Sequence, residues 1–317
     1  MRPRVYIDGH VGTTGLRIRE WLGGRDDLEL ITLPAELRKD ATARREHLRS
    51  ADLAILCLPD DAAREAVTWM QDTGTRIIDA STAHRVAEGW VFGLPELHPT
   101  QRDTIRSARF VANPGCYSSA FLLLLRPLVD AGLVGRDAPI TIHALSGYSG
   151  GGRPLIEKWE DFQGGLLSLA YEAPYALERV HKHVPEMLRY SGLQHEPFFE
   201  PAVGPFRCGM RVQVPLHADI LRGASGRQVW EALEARYRNE LFVRVMPFQD
   251  PVVSTDRSFD PQACNETNCI DLRVLPHPSG HVLLMAILDN LGKGASGVAI
   301  QSLNLMLGLG EATGLPK

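Results

Sequence analysis

One cysteine lies where thiol chemistry is expected. Cys116 follows Asn113-Pro114-Gly115 and precedes the apolar residues 121–125, a pattern that predicts the start of a helix at or just after this cysteine. The unpaired N–H groups and the dipole of a helix N-terminus favour an anion, and they lower the pKa of a thiol placed there. Cys116 is therefore a candidate nucleophile; the alternative is a buried, unreactive thiol.

The start of the chain has the pattern of a phosphate-binding loop. Residues 5–8 predict a short strand, the spacing G-x-x-G-x-x-G follows, and an amphipathic helix pattern begins at Leu16. Glycines allow the backbone to approach a pyrophosphate, and the helix N-terminus favours its charge. The alternative is a tight turn without a ligand. We predict a dinucleotide site formed by Gly9, Gly12, Thr13, Thr14 and Gly15.

The residues after the second predicted strand favour NADP(H) over NAD(H). That strand covers residues 28–33, and Glu36, Arg38 and Lys39 follow it. An acidic residue near this point holds the ribose hydroxyls of NAD, whereas basic residues accommodate the 2′-phosphate of NADP. Arg38 and Lys39 are the predicted phosphate contacts. Glu36 keeps NAD open, and a solvated charge cluster is a further alternative.

The first hundred residues predict a doubly wound, Rossmann-like parallel sheet. Apolar runs at 53–58 and 76–81 are typical of strands buried on both faces, and helical patterns at 41–49 and 60–72 alternate with them. Ligands bind beyond the carboxyl ends of such strands. We therefore expect Ser81 beside the cofactor and Arg85 in contact with a phosphate or carboxylate.

The second half of the chain predicts an α+β domain with a mainly antiparallel sheet. Residues 210–214, 241–245 and 269–274 alternate between apolar and polar side chains, as antiparallel strands with one covered face do, and a helix is predicted at about 227–240. Cys264 and Cys269 form a lone C-x4-C without further ligands, so no metal site is expected.

Residues 147–151 fit the G-x-S-x-G pattern of α/β-hydrolases, after a predicted strand at 140–145. Gly152, Arg153 and Pro154 are a poor opening for the helix that such a nucleophile requires. We expect instead a loop around an anionic substrate, with Arg153 as a contact.

Composition limits the class of protein. A chain of 317 residues with 44% hydrophobic and 23% charged residues is expected to form about two soluble domains. A net charge of −4 gives no reason to expect nucleic acid or an anionic membrane as a partner. No apolar run reaches the roughly 18 residues of a membrane span. Five cysteines, an odd number, suggest thiols in a reducing compartment, so a cytoplasmic protein is expected.

Several motifs along the chain resemble those of the N-acetyl-gamma-glutamyl-phosphate reductases of the short type, a family of arginine biosynthesis related to the aspartate-semialdehyde dehydrogenases. The motif around Cys116 departs from the longer type, which has Thr where Ser119 stands. The matching segments span nearly the whole chain: 8–16, 79–85, 93–97, 113–117, 146–153, 181–186 and 289–297.

The resemblance implies a reaction and the residues that perform it. A thiolate attacks an acyl phosphate, phosphate leaves, NADPH reduces the thioester, and an aldehyde is released. Cys116 is then the nucleophile and His183 the acid/base. His181 is its competitor, because two residues apart on an extended segment would face the same side. Alternatives are the same chemistry on aspartyl or aminoadipyl phosphate, or a dinucleotide-sensing regulator without catalysis.

The resemblance also implies a domain organisation and further contacts. Residues 1–114 and 291–317 would form the dinucleotide-binding domain, and 115–290 the catalytic domain. Asn290 would contact the nicotinamide, and Arg85, Arg153 and Glu186 the small-molecule acyl phosphate. A homo-oligomer is expected.

Overall fold

The computed structural model describes residues 2–161, 163, 171–249 and 259–317. The chain divides into two compact units. The first unit comprises Met1–Pro114 together with Ala295–Pro316, and the second comprises Gly115–Gly294 together with Lys317. The chain therefore leaves the first unit after Pro114 and returns to it near its end.

The first unit is built on a parallel sheet with the strand order β2-β1-β3-β4-β6-β5. Every strand pair found in it is parallel, and the four residues of β3 are all buried, which explains their uninterrupted apolar sequence. The predicted Rossmann-like sheet is confirmed. In chain order its elements are β1 (Arg4–Asp8), α1 (Thr13–Leu22), β2 (Glu29–Ile31), α2 (Ala41–Ser50), β3 (Leu53–Leu56), α3 (Asp60–Thr68), β4 (Arg76–Asp79), β5 (Val91–Phe92), α4 (Gln101–Ser107) and β6 (Phe110–Ala112).

Local hydrogen bonds determine where two of these helices begin and end. α2 begins after Asp40, whose carboxylate accepts from the N–H of Ala43. α3, predicted to extend to residue 72, ends at Thr68. The prediction was wrong there because the Met70 N–H bonds to Val67, three residues back, so the chain tightens into a turn.

The second unit is built on a mixed sheet with the strand order β11-β12-β13-β10-β7-β9-β8. Its pairs are mainly antiparallel, as predicted, but β11 lies parallel to β12 and β7 lies parallel to β9. In chain order the elements are α5 (Cys116–Asp130), β7 (Thr141–Gly147), a 3-10 turn (Tyr148–Gly151), α6 (Gly152–Glu160), β8 (Ala173–Pro174), α7 (Val184–Ser191), β9 (Phe198–Gly204), β10 (Met210–Leu216), a 3-10 turn (Ala218–Leu221), α8 (Gly226–Tyr237), β11 (Val243–Val245), β12 (Ile270–Pro276) and β13 (Val282–Leu288).

Helix α5 runs through the core of the second unit. Its residues from Tyr117 to Leu125 are all buried, and the helix packs on α7, α8, β10 and β13. A helix that is apolar on every side is stable only when it is enclosed, which accounts for the apolar run in the sequence. The first residue of this enclosed helix is Cys116.

The chain ends with a π-helical turn (Gly292–Ser296) followed by α9 (Gly297–Met306), whose residues are all buried. Among the helices of the described residues, none has the length and apolar character needed to cross a membrane. The same residues contain no cluster of three or more His, Cys, Asp or Glu side chains that could hold a metal ion.

Candidate active site

The second unit places Cys116 at the N-terminus of α5. Gly115 is the N-cap residue, so no side chain caps the first amides of this helix. Cys116 is half-buried and forms no disulfide. Gly294 lies directly against it, because a Cβ added to Gly294 would be 2.7 Å from the Cβ of Cys116. Nothing in the sequence singles out Gly294, apart from its position in a glycine-rich motif.

Both sequence neighbours of Cys116 contact the segment that carries the two candidate histidines. The N–H of Gly115 donates to the carboxylate of Glu186 at 3.1 Å, and Glu186 is buried. The ring of Tyr117 lies 5.6 Å from that of His183 and 5.7 Å from that of His181. The predicted residues His183 and Glu186 are therefore brought to the N-terminus of α5.

The histidine segment is a turn and not the extended chain assumed from the sequence. His183 has helical backbone angles and is the N-cap residue of α7. In this turn Nδ1 of His181 accepts from the backbone N–H of His183 at 3.1 Å. The two rings meet edge to face at 4.7 Å. His183 is buried, and Ser118 donates to its carbonyl at 3.4 Å.

Two phenols, the buried Tyr117 and the partly buried Tyr175, border this region. Burial is the main cause that raises the pKa of Tyr175 to about 12 and that of Tyr117 well above its ordinary value. Both hydroxyls therefore stay protonated at neutral pH. Ser119, the residue that departs from the longer-type motif, is fully buried, and its hydroxyl has no hydrogen-bond partner among the described residues.

Asn290 is buried and holds two backbone segments together. Its carbonyl oxygen accepts from the N–H of Gly209 at 2.8 Å, and its amide donates to the hydroxyl of Ser149 at 2.9 Å. The other contact of that hydroxyl is the sulfur of Cys208, at 3.5 Å. Neither Asn290 nor Cys208 is a base for Ser149, so the G-x-S-x-G motif lacks the geometry of a hydrolase nucleophile.

The segment expected to be a loop around the substrate is instead a 3-10 turn and helix α6. Pro154 is tolerated in the first turn of α6, where its missing N–H would have no partner in the helix. Tyr148 and Trp159 stack at 5.8 Å and anchor the helix. Arg153 therefore lies on an exposed helix surface, where it donates to Glu157 at 2.7 Å.

The first unit holds the glycine loop between β1 and α1. Gly9 has φ +84°, and a Cβ there would lie 2.2 Å from the carbonyl oxygen of Cys57. A Cβ on Gly15 would lie 2.5 Å from the carbonyl oxygen of Gly9. Thr13 starts α1, and its N-cap residue Gly12 offers no capping side chain. This backbone cradle at a helix N-terminus fits a pyrophosphate.

The charges around the loop differ in burial. Asp8, at the end of β1, is buried and accepts from Arg44 through both carboxylate oxygens at 3.0 to 3.2 Å. Burial lowers the pKa of His10, and the charges of Arg19 and Arg38 lower it further. Arg38 therefore lies within electrostatic reach of the loop. Arg38 and Lys39 are both exposed in the turn after β2.

Ser81 and Arg85 lie beyond the end of β4. Asp79 is fully buried and accepts from the N–H and the hydroxyl of Ser81 at 2.9 and 2.7 Å, and from His84 at 2.6 Å. Arg85 is largely buried and donates to the carbonyl of Asn113 at 3.0 Å. These bonds fix the turn that carries both predicted contacts. Arg44, which also reaches the end of a parallel strand, was missed because it lies on a helix with no motif around it.

Both units match profiles of one protein family. Residues 7–105 match the profile described as "Semialdehyde dehydrogenase, NAD binding domain", and residues 116–290 match "Semialdehyde dehydrogenase, dimerisation domain".

Full-length relatives carry a more specific name. The chain is 49% identical to N-acetyl-gamma-glutamyl-phosphate reductase 2 of Nostoc sp., over 99% of both chains. It is 48% identical to the protein of the same name from Pseudomonas putida, over 98% of this chain and 99% of that one.

Solved structures share the fold at low sequence identity. Aspartate semialdehyde dehydrogenase II of Vibrio cholerae, complexed with ASA, has a TM-score of 0.72 at 17% identity and covers 97% of this chain and 98% of its own. Aspartate semialdehyde dehydrogenase of Candida albicans with NADP has a TM-score of 0.67 at 13% identity, with coverage of 97% and 99%.

Proposed function

The chain belongs to the semialdehyde dehydrogenase family, and we propose that it reduces N-acetyl-gamma-glutamyl phosphate to N-acetylglutamate semialdehyde through a thioester on Cys116. The observation that carries the proposal is the position of Cys116 as the first residue of a buried helix, with both of its neighbours held by the segment that contains His183 and Glu186. The names of relatives at 48–49% identity supply the substrate.

The reaction starts with the thiolate of Cys116. It attacks the carbonyl carbon of the acyl phosphate, the bond from that carbon to the phosphate oxygen breaks, and inorganic phosphate leaves with the electron pair. The N-terminus of α5 favours negative charge on the attacking sulfur. Because the helix is enclosed in the core, the sulfur is held in one place for the attack.

His183 is the proposed acid/base. It donates a proton to the oxyanion of the thiohemiacetal, then takes that proton back as the carbon–sulfur bond breaks and the aldehyde forms. His181 is assigned a supporting role because its Nδ1 already accepts from the backbone N–H of His183.

The first unit is proposed to bind NADP(H), which supplies the hydride that reduces the thioester. Gly9, Gly12, Thr13, Thr14 and Gly15 would hold the pyrophosphate. Ser81 and Asn290 are further proposed contacts, and Arg38 and Lys39 would contact the 2′-phosphate. Both basic side chains are exposed in the turn after β2, where a phosphate can reach them.

Arg85, Arg153 and Glu186 are the proposed substrate contacts. The three differ in setting: Arg85 and Glu186 are buried, whereas Arg153 is exposed and paired with Glu157. We propose dinucleotide binding for the first unit and catalysis for the second. A homo-oligomer is also proposed, with support from the dimerisation-domain match at 116–290.

The test runs the reaction backwards, from aldehyde and phosphate to acyl phosphate. We expect reduction of NADP+ that depends on phosphate and is faster with N-acetylglutamate semialdehyde than with aspartate or aminoadipate semialdehyde. Cys116→Ser should abolish this activity, whereas Cys264→Ala, which removes a buried thiol of the same unit, should retain it. Wild-type turnover by Cys116→Ser would contradict the thioester mechanism.

Two further pairs of measurements test the roles of the two histidines and of the two basic residues after β2. His183→Asn should reduce kcat by roughly 100- to 10,000-fold, and His181→Asn, whose amide oxygen can still accept from the His183 N–H, should reduce it much less. Arg38→Ala combined with Lys39→Ala should raise KM for NADPH and leave KM for NADH unchanged. If His181→Asn lowered kcat more than His183→Asn, the roles assigned to the two histidines would be exchanged.

A further inference from the structure

Three side chains of the second unit form a continuous series of hydrogen bonds beside the nucleophile. Nε2 of His181 lies 3.3 Å from the hydroxyl of Tyr175, which donates to the hydroxyl of Tyr117 at 3.1 Å. We call this series the tyrosine relay.

The main chain fixes the direction of the relay at its histidine end. The N–H of His183 donates to Nδ1 of His181, so Nδ1 carries no proton and Nε2 carries one. Tyr175 uses its single hydroxyl proton for Tyr117, so its oxygen accepts from Nε2 of His181. The two hydrogen bonds therefore run in the same sense, away from His183.

Both phenols of the relay are neutral. Tyr117 and Tyr175 keep their protons because burial raises the pKa of both phenols. A second proton on His181 would have to go to Nδ1, where it would point at the N–H of His183 and break that bond. His181 also faces the ring of Phe199 and lines a groove that carries Arg179, Glu196 and Glu200, so charges of both signs are near it.

We propose that Tyr117 and Tyr175 are positioning residues: they hold His181 as the Nε2–H tautomer, so that its Nδ1 holds the backbone of His183. With the other tautomer, two N–H groups would face each other and the link to His183 would be lost. The carbonyl of His183 also accepts from Met187, in the first turn of α7, and from Ser118. A displaced His183 backbone therefore moves the imidazole away from its position beside α5.

The effect of the two tyrosines on catalysis rests on the proposed function, whereas their effect on the tautomer of His181 does not. The two effects are therefore measured separately. Protein labelled with 15N in its histidine rings reports the tautomer by NMR, and His181→Asn identifies the signal. The wild-type protein should show only the Nε2–H form of His181 at neutral pH. Tyr175→Phe removes the acceptor for that proton, so both tautomers should appear.

Turnover is measured on the same variants. Tyr175→Phe and Tyr117→Phe should each lower kcat on the order of 10- to 100-fold with little change in KM, because a displaced acid/base group slows the chemical step and not the binding. Tyr190→Phe, which removes a half-buried phenol hydroxyl from α7, is the matched control and should keep wild-type kcat.

Two outcomes would overturn the inference. A single Nε2–H tautomer in both Tyr175→Phe and Tyr117→Phe would show that the phenols do not select it. Mixed tautomers with wild-type kcat would show that the tautomer does not position His183. Full activity of His183→Asn would instead defeat the acid/base role in the proposed function, and the NMR result would stand unaffected.

Discussion

At the scale of single residues, a glycine lies directly against the nucleophile. A Cβ on Gly294 would lie 2.7 Å from the Cβ of Cys116, a separation that real Cβ atoms do not tolerate. Gly294→Ala should therefore displace Cys116 or the turn after β13. We expect a fall in kcat on the order of 100-fold, as for a reacting group moved by about 1 Å, in the reverse assay with phosphate.

Gly74→Ala is the control for this prediction. A Cβ on Gly74 meets nothing within 4 Å, and its φ is not positive, so this variant should keep wild-type kcat and stability. Alkylation of Cys116 should be slower in Gly294→Ala than in the wild type, and it should be unchanged in Gly74→Ala. Unchanged kcat and an unchanged alkylation rate in Gly294→Ala would mean that the turn after β13 shifts to accommodate the methyl group without moving the sulfur of Cys116.

The sequence indicated Cys116 from its position at the predicted start of a helix, whereas His183 came from the resemblance to a known family. The contacts that hold them were not predictable. The bond from His181 to the His183 amide depends on a turn that the sequence suggested was extended, and the contact of Gly294 joins residues far apart in the chain. Such contacts follow from tertiary packing, which leaves no local pattern.

At the scale of elements, hydrophobic periodicity predicted most strands and helices but not strand direction. The apolar and polar residues of β11 alternate in the same way in a parallel and in an antiparallel pair. The long connection from β11 to β12 permits both directions. Helix α6 was missed because two glycines and a proline at its start resemble a loop locally. The stacking of Tyr148 on Trp159, which stabilises this helix, is a tertiary contact.

Helix α2 carries two arginines whose ion pairs should differ in strength. Arg44 pairs with Asp8 of β1, and both side chains are nearly inaccessible to water. Arg44→Met would leave the carboxylate buried without its partner, so we expect the free energy of unfolding of the first unit to fall by about 3 to 5 kcal/mol. Urea denaturation followed by circular dichroism measures this loss.

Arg49 on the same helix supplies the comparison. It pairs with Asp72 at 2.6 Å, but this pair is exposed and screened by solvent, so Arg49→Met should change the unfolding midpoint little. The double variant Asp8→Asn with Arg44→Met should recover much of the lost stability, because no charge then remains buried. Equal losses from Arg44→Met and Arg49→Met would mean that burial does not determine the strength of these pairs.

At the scale of the whole molecule, the order of the chain makes the two units unequal. The second unit is nearly continuous, from Gly115 to Gly294, whereas the first unit combines residues 1–114 with a segment that follows the second unit in the sequence. Gln301 of α9 donates to Glu96 at 2.8 Å and to Glu311 at 2.7 Å, and Arg102 pairs with Glu311. The C-terminal segment therefore supplies a hydrogen bond to the buried Glu96 and an ion-pair partner for Arg102.

Removal of residues 309–317 should loosen the first unit and, apart from the loss of Lys317, leave the second unit folded. The deletion takes away Glu311, the partner of Arg102, and the Thr313 carbonyl that accepts from Asn304. Gln301→Leu should also lower the free energy of unfolding of the first unit, by about 1 to 3 kcal/mol, because Glu96 loses a hydrogen-bond donor while it stays buried. Peptide-resolved hydrogen exchange measures both: β1 to β6 should lose protection, and β7 to β13 should keep it. Equal loss in both sheets would show that the second unit also depends on the end of the chain.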